Sequence, residues 1–125
     1  MRIKNSIVNE LTSKYTGETY DIYVSYPKDY KNSGKKYPVL VALDAEVNFG
    51  AISYISQRLT KDELIPELLV VGVAYQGDTD EDTYYSLRSR DFTPTSDKTQ
   101  EERHKNKFKS GTGGAENFVK FLSLE

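Results

Sequence analysis

Residues 19–26, TYDIYVSY, alternate along the chain. Tyr20, Ile22, Val24 and Tyr26 fall on one face, Asp21, Tyr23 and Ser25 on the other. A period of two with one wetter face predicts a β-strand. Residues 6–13, SIVNELTS, predict a weaker strand with Ile7 and Leu11 on one face, and Gly17 in the intervening KYTGE marks a turn. The two strands read as an antiparallel pair. Residues 26–38 carry two prolines, a glycine and four lysines, which predicts a surface loop. Residues 39–43, VLVAL, and 68–74, LLVVGVA, are apolar almost throughout. Such runs suit strands buried on both faces, as in parallel sheets sandwiched by helices. Between them Phe49, Ile52, Ile55, Ser56 and Leu59 recur near helical spacing, and Pro66 fits the approach to the next strand. Strand, helix, strand at this length predicts a right-handed βαβ crossover.

After Ala74 the pattern breaks. From Gln76 to Gly114 the large apolar residues are Tyr84, Tyr85, Leu87, Phe92 and Phe108, while 15 of the 39 residues are charged. That composition predicts a long polar loop over 76–114, of a length that is rare in a compact domain unless it is functional or disordered. A final helix is expected from Ala115. Phe118, Phe121 and Leu122 share its face, Glu116 sits in its first turn, and the glycines before it let the polar segment turn into it. The expectation is a single α/β domain over 1–125 with an incomplete sheet: an antiparallel pair covers one edge, and nothing in the sequence covers the other.

Composition narrows the function classes. Leu, Ile, Val and Phe make up 30 of 125 residues, above the level of roughly 20% where disorder becomes the default. A net charge of −2 gives no footprint for nucleic acid or for a membrane surface. No apolar run reaches the ~20 residues of a membrane span and none has signal-peptide character, so a soluble protein is expected. The absence of cysteine leaves the redox compartment unread, and cytoplasmic and exported locations stay equally open. Leu124 and Glu125 read as a cloning remnant and carry no weight in the fold argument.

Three local motifs look chemical and fall short. DTDEDT, residues 78–83, opens like a calcium loop. The EF-hand pattern then needs glycine where Thr83 stands and glutamate where Ser89 stands, so a solvated carboxylate cluster is preferred. GTGGAEN, residues 111–117, suggests an anion-binding helix start. It lacks the Lys-Ser/Thr of a phosphate loop, and Glu116 stands where the dinucleotide pattern needs glycine. His104, the sole histidine, lies in EERHKNKFKS with no serine in a nucleophile context nearby, and is expected to be an exposed loop residue.

The blocks YDIYVSYPKDY, KKYPVLVALDAEVNF, IPELLVVGVAY, RSRDFTPT and GGAENFVKFL occur in one order. In order and spacing they resemble the N-terminal half of the esterase-D-like serine hydrolases, a branch of the α/β-hydrolase fold that includes siderophore esterases. The resemblance runs from about Ser6 to Leu122. It implies a partial α/β-hydrolase fold and a small-molecule carboxylic ester as substrate, with no cofactor and no metal. In that family the helix resembling 115–123 leads to a strand and the nucleophile elbow Gly-x-Ser-x-Gly, with the acid and the histidine later still. The present sequence contains no Gly-x-Ser-x-Gly, so the expectation is that all three triad members lie outside it and that it has no activity alone.

What these residues would contribute, by resemblance, is the oxyanion hole and the substrate loops. The loop LDAEVNF makes the backbone N–H of Ala45 or Glu46 the candidate oxyanion donor. The family often has glycine just after the aspartate; alanine at position 45 keeps the N–H but narrows the backbone freedom there. RSRDFTP would present Arg88 or Arg90 to an anionic or catecholate-like substrate. The competing and preferred reading is an arginine paired with Asp91 to brace the loop. A different class of function is a short binding module that self-associates by pairing its open edge strand.

Overall fold

The computed structural model describes residues 3–125. Four strands form one sheet: β1 (Ser6–Thr12), β2 (Thr19–Ser25), β3 (Val39–Ala42) and β4 (Leu69–Tyr75), in the order β1-β2-β4-β3. β2 and β4 are antiparallel, in register from Tyr20 opposite Tyr75 to Ser25 opposite Val70. β3 and β4 are parallel, from Val39 beside Leu69 to Ala42 beside Gly72. Two helical segments belong to this part of the chain, the single turn α1 (Tyr30–Ser33) and the helix α2 (Ala45–Lys61) joining β3 to β4. The chain divides into two compact units: residues 1–11 with 20–75, and residues 12–19 with 76–125.

β2 and β4 are the inner strands of the sheet, and the continuous apolar run of β4 suits that place. α2 presents Ala45, Phe49, Ser53 and Ser56 as its buried residues, a spacing of four, four and three. Phe49, Ala45, Val70 and Ala74 form the core cluster, with Ile3, Tyr23, Ile52 and Leu68 packed around it. The packing depends on Gly72. A Cβ there would lie 2.7 Å from both the Ala45 Cβ and the Phe49 Cδ2. Without one, the Phe49 ring settles over the β4 backbone and meets the Tyr23 ring at 5.2 Å between centroids.

Three expectations change here. The two faces of β2 are buried alike: Tyr20 on one and Ser25 on the other are buried, and Asp21, Ile22, Tyr23 and Val24 are half-buried. Tyr23 packs on Phe49, and Ser25 is buried and accepts a hydrogen bond from Gln57 Nε2 at 3.3 Å. The helix face it meets is itself partly polar, so a polar strand face finds partners. β3 is not buried on both faces either: Val39, Leu40 and Val41 are 56%, 43% and 49% exposed, and Ala42 alone is buried. Its apolar run belongs to an edge strand, consistent with a sheet lacking cover on that side. Ile55, placed on the core face by spacing, is 54% exposed on the outer side of α2.

The second unit holds α3 (Glu81–Asp91), α4 (Lys98–Arg103) and α5 (Ala115–Leu124). The stretch expected as a structureless loop therefore carries two helices, of 11 and 6 residues. Its helices are written in caps rather than in apolar periodicity. Asp80 accepts from the Thr83 N–H at 2.9 Å and opens α3; Asp97 accepts from the Gln100 N–H at 3.0 Å and opens α4. The core of this unit is Leu87, Phe118 and Phe121, with Phe92 against Phe118 at 5.4 Å. Leu122, expected beside the two phenylalanines, is 38% exposed. Among the described residues no helix is long and apolar enough to cross a membrane.

Gly72→Ala is expected to destabilise the first unit by about 1–3 kcal/mol, because the added methyl must displace Ala45 or Phe49. Urea denaturation followed by tyrosine emission measures it, and a stability equal to that of the parent chain would contradict the close-approach argument.

Candidate active site

The turn from β3 into α2 holds the predicted oxyanion residues. Asp44 takes a left-handed backbone, φ 53° and ψ 43°, and caps the helix. Aspartate tolerates this region better than most residues. The first helical bonds run from the Val47 and Asn48 N–H groups to the Asp44 carbonyl, at 3.2 and 3.1 Å. The N–H groups of Ala45 and Glu46 stand ahead of those bonds, at the positive end of a 17-residue helix. Paired donors at such a terminus suit an oxygen that gains negative charge. The conformational demand at this turn falls on Asp44, not on Ala45. Ala45 is already helical, and its buried methyl is seated over Gly72.

Glu46 does more than offer its backbone. Its Oε1 accepts from the Tyr75 N–H at 3.2 Å, so one side chain ties the start of α2 to the end of β4. Those two points follow the C-terminal ends of the parallel strands, where open α/β sheets place their ligands. Burial, then the negative charges of Asp21 and Glu46, raise the Tyr23 hydroxyl above its ordinary value, keeping it a neutral donor. Sequence reasoning missed the Glu46 carboxylate, since periodicity carries no signal for a bond between residues 29 positions apart.

In the second unit the two predicted arginines differ. Arg90 grips Asp91 with two bonds, Nε to Oδ1 at 2.6 Å and Nη2 to Oδ2 at 3.1 Å, and reaches Glu18 Oε1 through Nη1 at 3.0 Å. The Asp91 side chain is fully buried, so this fork supplies its counter-charge. Arg88 instead lies over the rings of Tyr84 and Phe92, at 5.6 and 5.0 Å from their centroids. Ala45 and Glu46 belong to one unit, Arg88 and Arg90 to the other.

The acidic and glycine-rich motifs have structural work. Asp80 of DTDEDT takes two hydrogen bonds from Thr83, which hold its carboxyl below the ordinary carboxylate value. In the glycine cluster the Gly113 N–H donates to Thr93 Oγ1 at 2.7 Å and the Gly114 N–H to the Arg90 carbonyl at 2.7 Å. A Cβ on Gly113 would meet the Ser96 N at 2.6 Å, and one on Gly114 the Arg90 carbonyl at 2.9 Å. The glycines seat the chain against the end of α3 rather than leaving a flexible turn. Glu101, held low by Lys98 and then by Thr112, fastens the same loop by accepting from the Thr112 N–H and hydroxyl at 2.9 and 2.7 Å. His104 is exposed just past α4, its ring 6.3 Å from that of Phe108.

Residues 13–123 match the model of the family described as "Putative esterase". No curated protein matches the sequence significantly. Among solved structures, the BES protein from Bacillus cereus is 27% identical with a TM-score of 0.76, over 100% of this chain and 47% of that one. An IroE-like serine hydrolase from Shewanella oneidensis is 26% identical with a TM-score of 0.74, over 96% of this chain and 36% of that one. The siderophore hydrolase EstB from Aspergillus nidulans shares the fold, with a TM-score of 0.73 at 22% identity, over 99% of this chain and 42% of that one. The chain thus spans less than half the length of each of these proteins.

Arg90→Ala leaves the buried Asp91 carboxylate without its guanidinium, and a loss of about 3–5 kcal/mol in the second unit is expected. Amide hydrogen exchange across α3 and α5 reads this directly. Unchanged protection there would mean that the fork contributes nothing to the fold.

Proposed function

The chain belongs to the "Putative esterase" family, and from that premise we propose that it forms the oxyanion-stabilising part of a serine-type carboxylic ester hydrolase. The observation that carries this reading is the left-handed Asp44 turn, with the Ala45 and Glu46 N–H groups ahead of the first helical bond. In ester hydrolysis a serine hydroxyl adds to the carbonyl carbon and the carbonyl oxygen becomes an oxyanion. A donor already fixed at that position lowers the barrier without reorganisation. The N–H of Ala45 or Glu46 is that donor, with the second supplied by the residue after the serine.

The sequence has no Gly-x-Ser-x-Gly. In this reading the nucleophile, the acid and the histidine come from outside residues 1–125 of a longer protein, and the chain alone does not turn over esters. The substrate is a small-molecule ester. Of the two arginines expected at an anionic or catecholate-like substrate, Arg90 is committed to Asp91 and Glu18, which favours the bracing reading for it.

A second reading is favoured by the exposed apolar edge of β3: a non-catalytic module whose copies pair strand to strand. Sedimentation velocity separates this from a monomer. Self-association is expected over the micromolar range and is expected to weaken in Val41→Lys, which places a charge on the edge; a concentration-independent monomer sinks it.

The esterase reading is tested with p-nitrophenyl butyrate and a fluorophosphonate. The expected outcome is no turnover and no labelling of residues 1–125, and stoichiometric labelling of a serine elsewhere in the longer protein. Phosphonate-sensitive turnover by the chain alone would overturn the assignment of the nucleophile.

A further inference from the structure

At the start of β4 the Leu69 N–H donates to the Pro38 carbonyl at 2.9 Å, toward β3. Successive N–H groups of a strand point to opposite edges, so those of Val71, Val73 and Tyr75 face that same edge. The pairing of β3 with β4 ends at Ala42 beside Gly72, and the chain then turns at Asp44 into α2. β4 runs on to Tyr75. There the N–H that faces the β3 side goes to Glu46 Oε1, at 3.2 Å. A carboxylate from the helix stands in for the strand that has turned away.

The same residue carries one of the two candidate oxyanion donors on its backbone. Ala45, which carries the other, is held by packing: it is buried, with its methyl over Gly72. Glu46 has no such seat. It is exposed, as is Val47 after it. It lies in the first turn of α2, where the leading N–H groups of a helix have no intrahelical partner. The bond to Tyr75 is the contact that holds its side chain, and a carboxylate accepting from an N–H makes a strong one. A side chain fixed at its tip limits how its own backbone can turn.

We propose that the Glu46 side chain is a positioning residue for ester hydrolysis: by bonding the β4 backbone at Tyr75, it aims its own N–H at the oxygen that becomes the oxyanion. This rests on the esterase reading given above. The role belongs to the acceptor oxygen and not to the charge, because a carboxylate close to an oxygen gaining negative charge opposes that charge. Glutamine keeps an acceptor oxygen at the same reach, and alanine does not.

The test compares Glu46→Ala and Glu46→Gln with the parent in two settings. The first is amide hydrogen exchange in residues 1–125. Glu46→Ala is expected to remain folded, since the residue is exposed and alanine favours a helix. Exchange of the Tyr75 N–H is expected to quicken about fivefold to tenfold in Glu46→Ala and to stay near the parent rate in Glu46→Gln. The second is p-nitrophenyl butyrate kinetics in the longer protein that carries the serine. Glu46→Ala is expected to lower kcat about tenfold to hundredfold, with KM within about twofold. Glu46→Gln is expected to match the parent kcat or exceed it. A merely structural tie would quicken exchange and leave kcat unchanged, which overturns the proposal. Unchanged Tyr75 exchange in Glu46→Ala, a loss confined to KM, or a kcat in Glu46→Gln as low as in Glu46→Ala overturns it as well. Failure of the esterase reading looks different: the parent longer protein neither turns over the ester nor is labelled by the fluorophosphonate, and the proposal falls with it.

Discussion

The contact between the Gly72 backbone and the Ala45 and Phe49 side chains fixes how closely α2 lies on the sheet. Any Cβ at position 72 would stand 2.7 Å from both. Because Ala45 is the first residue of the helix, this closeness also sets where the helix begins. The start of α2 in turn forces the left-handed turn at Asp44 and aims the Ala45 and Glu46 N–H groups. Glu46 then holds the end of β4 through Tyr75. A packing constraint in the core thus positions a polar feature at the strand ends. In the reading proposed above, that feature is an oxyanion donor preorganised without dedicated side chains.

The second unit is held together differently. It has few buried apolar residues, and its order comes from polar groups satisfied one by one. Arg90 neutralises Asp91 and reaches Glu18; its carbonyl receives Gly114; Thr93 takes the N–H groups of Gly113 and Ala115. Buried polar networks of this kind specify one arrangement when complete and are costly when any member is lost.

The parts of the fold that were legible in the sequence were those governed by periodicity. β1, β2, β4 and α5 fall where alternation or apolar runs placed them, and α2 does so with a longer span. The parts that were not legible depend on partners. VLVAL reads as a buried strand because its composition is that of one, but exposure is decided by neighbours, and among the described strands β3 has only β4 beside it. α3 and α4 were hidden because their apolar content is low; the signals were Asp80 with Thr83 and Asp97 with Gln100, which are caps rather than periods. At the candidate site the backbone donors were reached through the LDAEVNF block. The left-handed Asp44 and the Glu46–Tyr75 bond lie in geometry that a one-dimensional pattern does not encode.

The strand order β1-β2-β4-β3 has a consequence for the order in which the structure forms. β3 precedes β4 in the chain, yet β4 is its one strand neighbour among the described residues, and β4 also separates it from β2. The β2–β4 ladder joins residues 45 to 55 positions apart, so a long loop must close to form it, whereas β3 and β4 pair across 30 positions bridged by α2. Until β4 docks, β2 and β3 have no common partner, and every non-local pair in the sheet waits on one seven-residue segment. Folding is therefore set by the arrival of Leu69–Tyr75, with α2 as the tether that shortens the search.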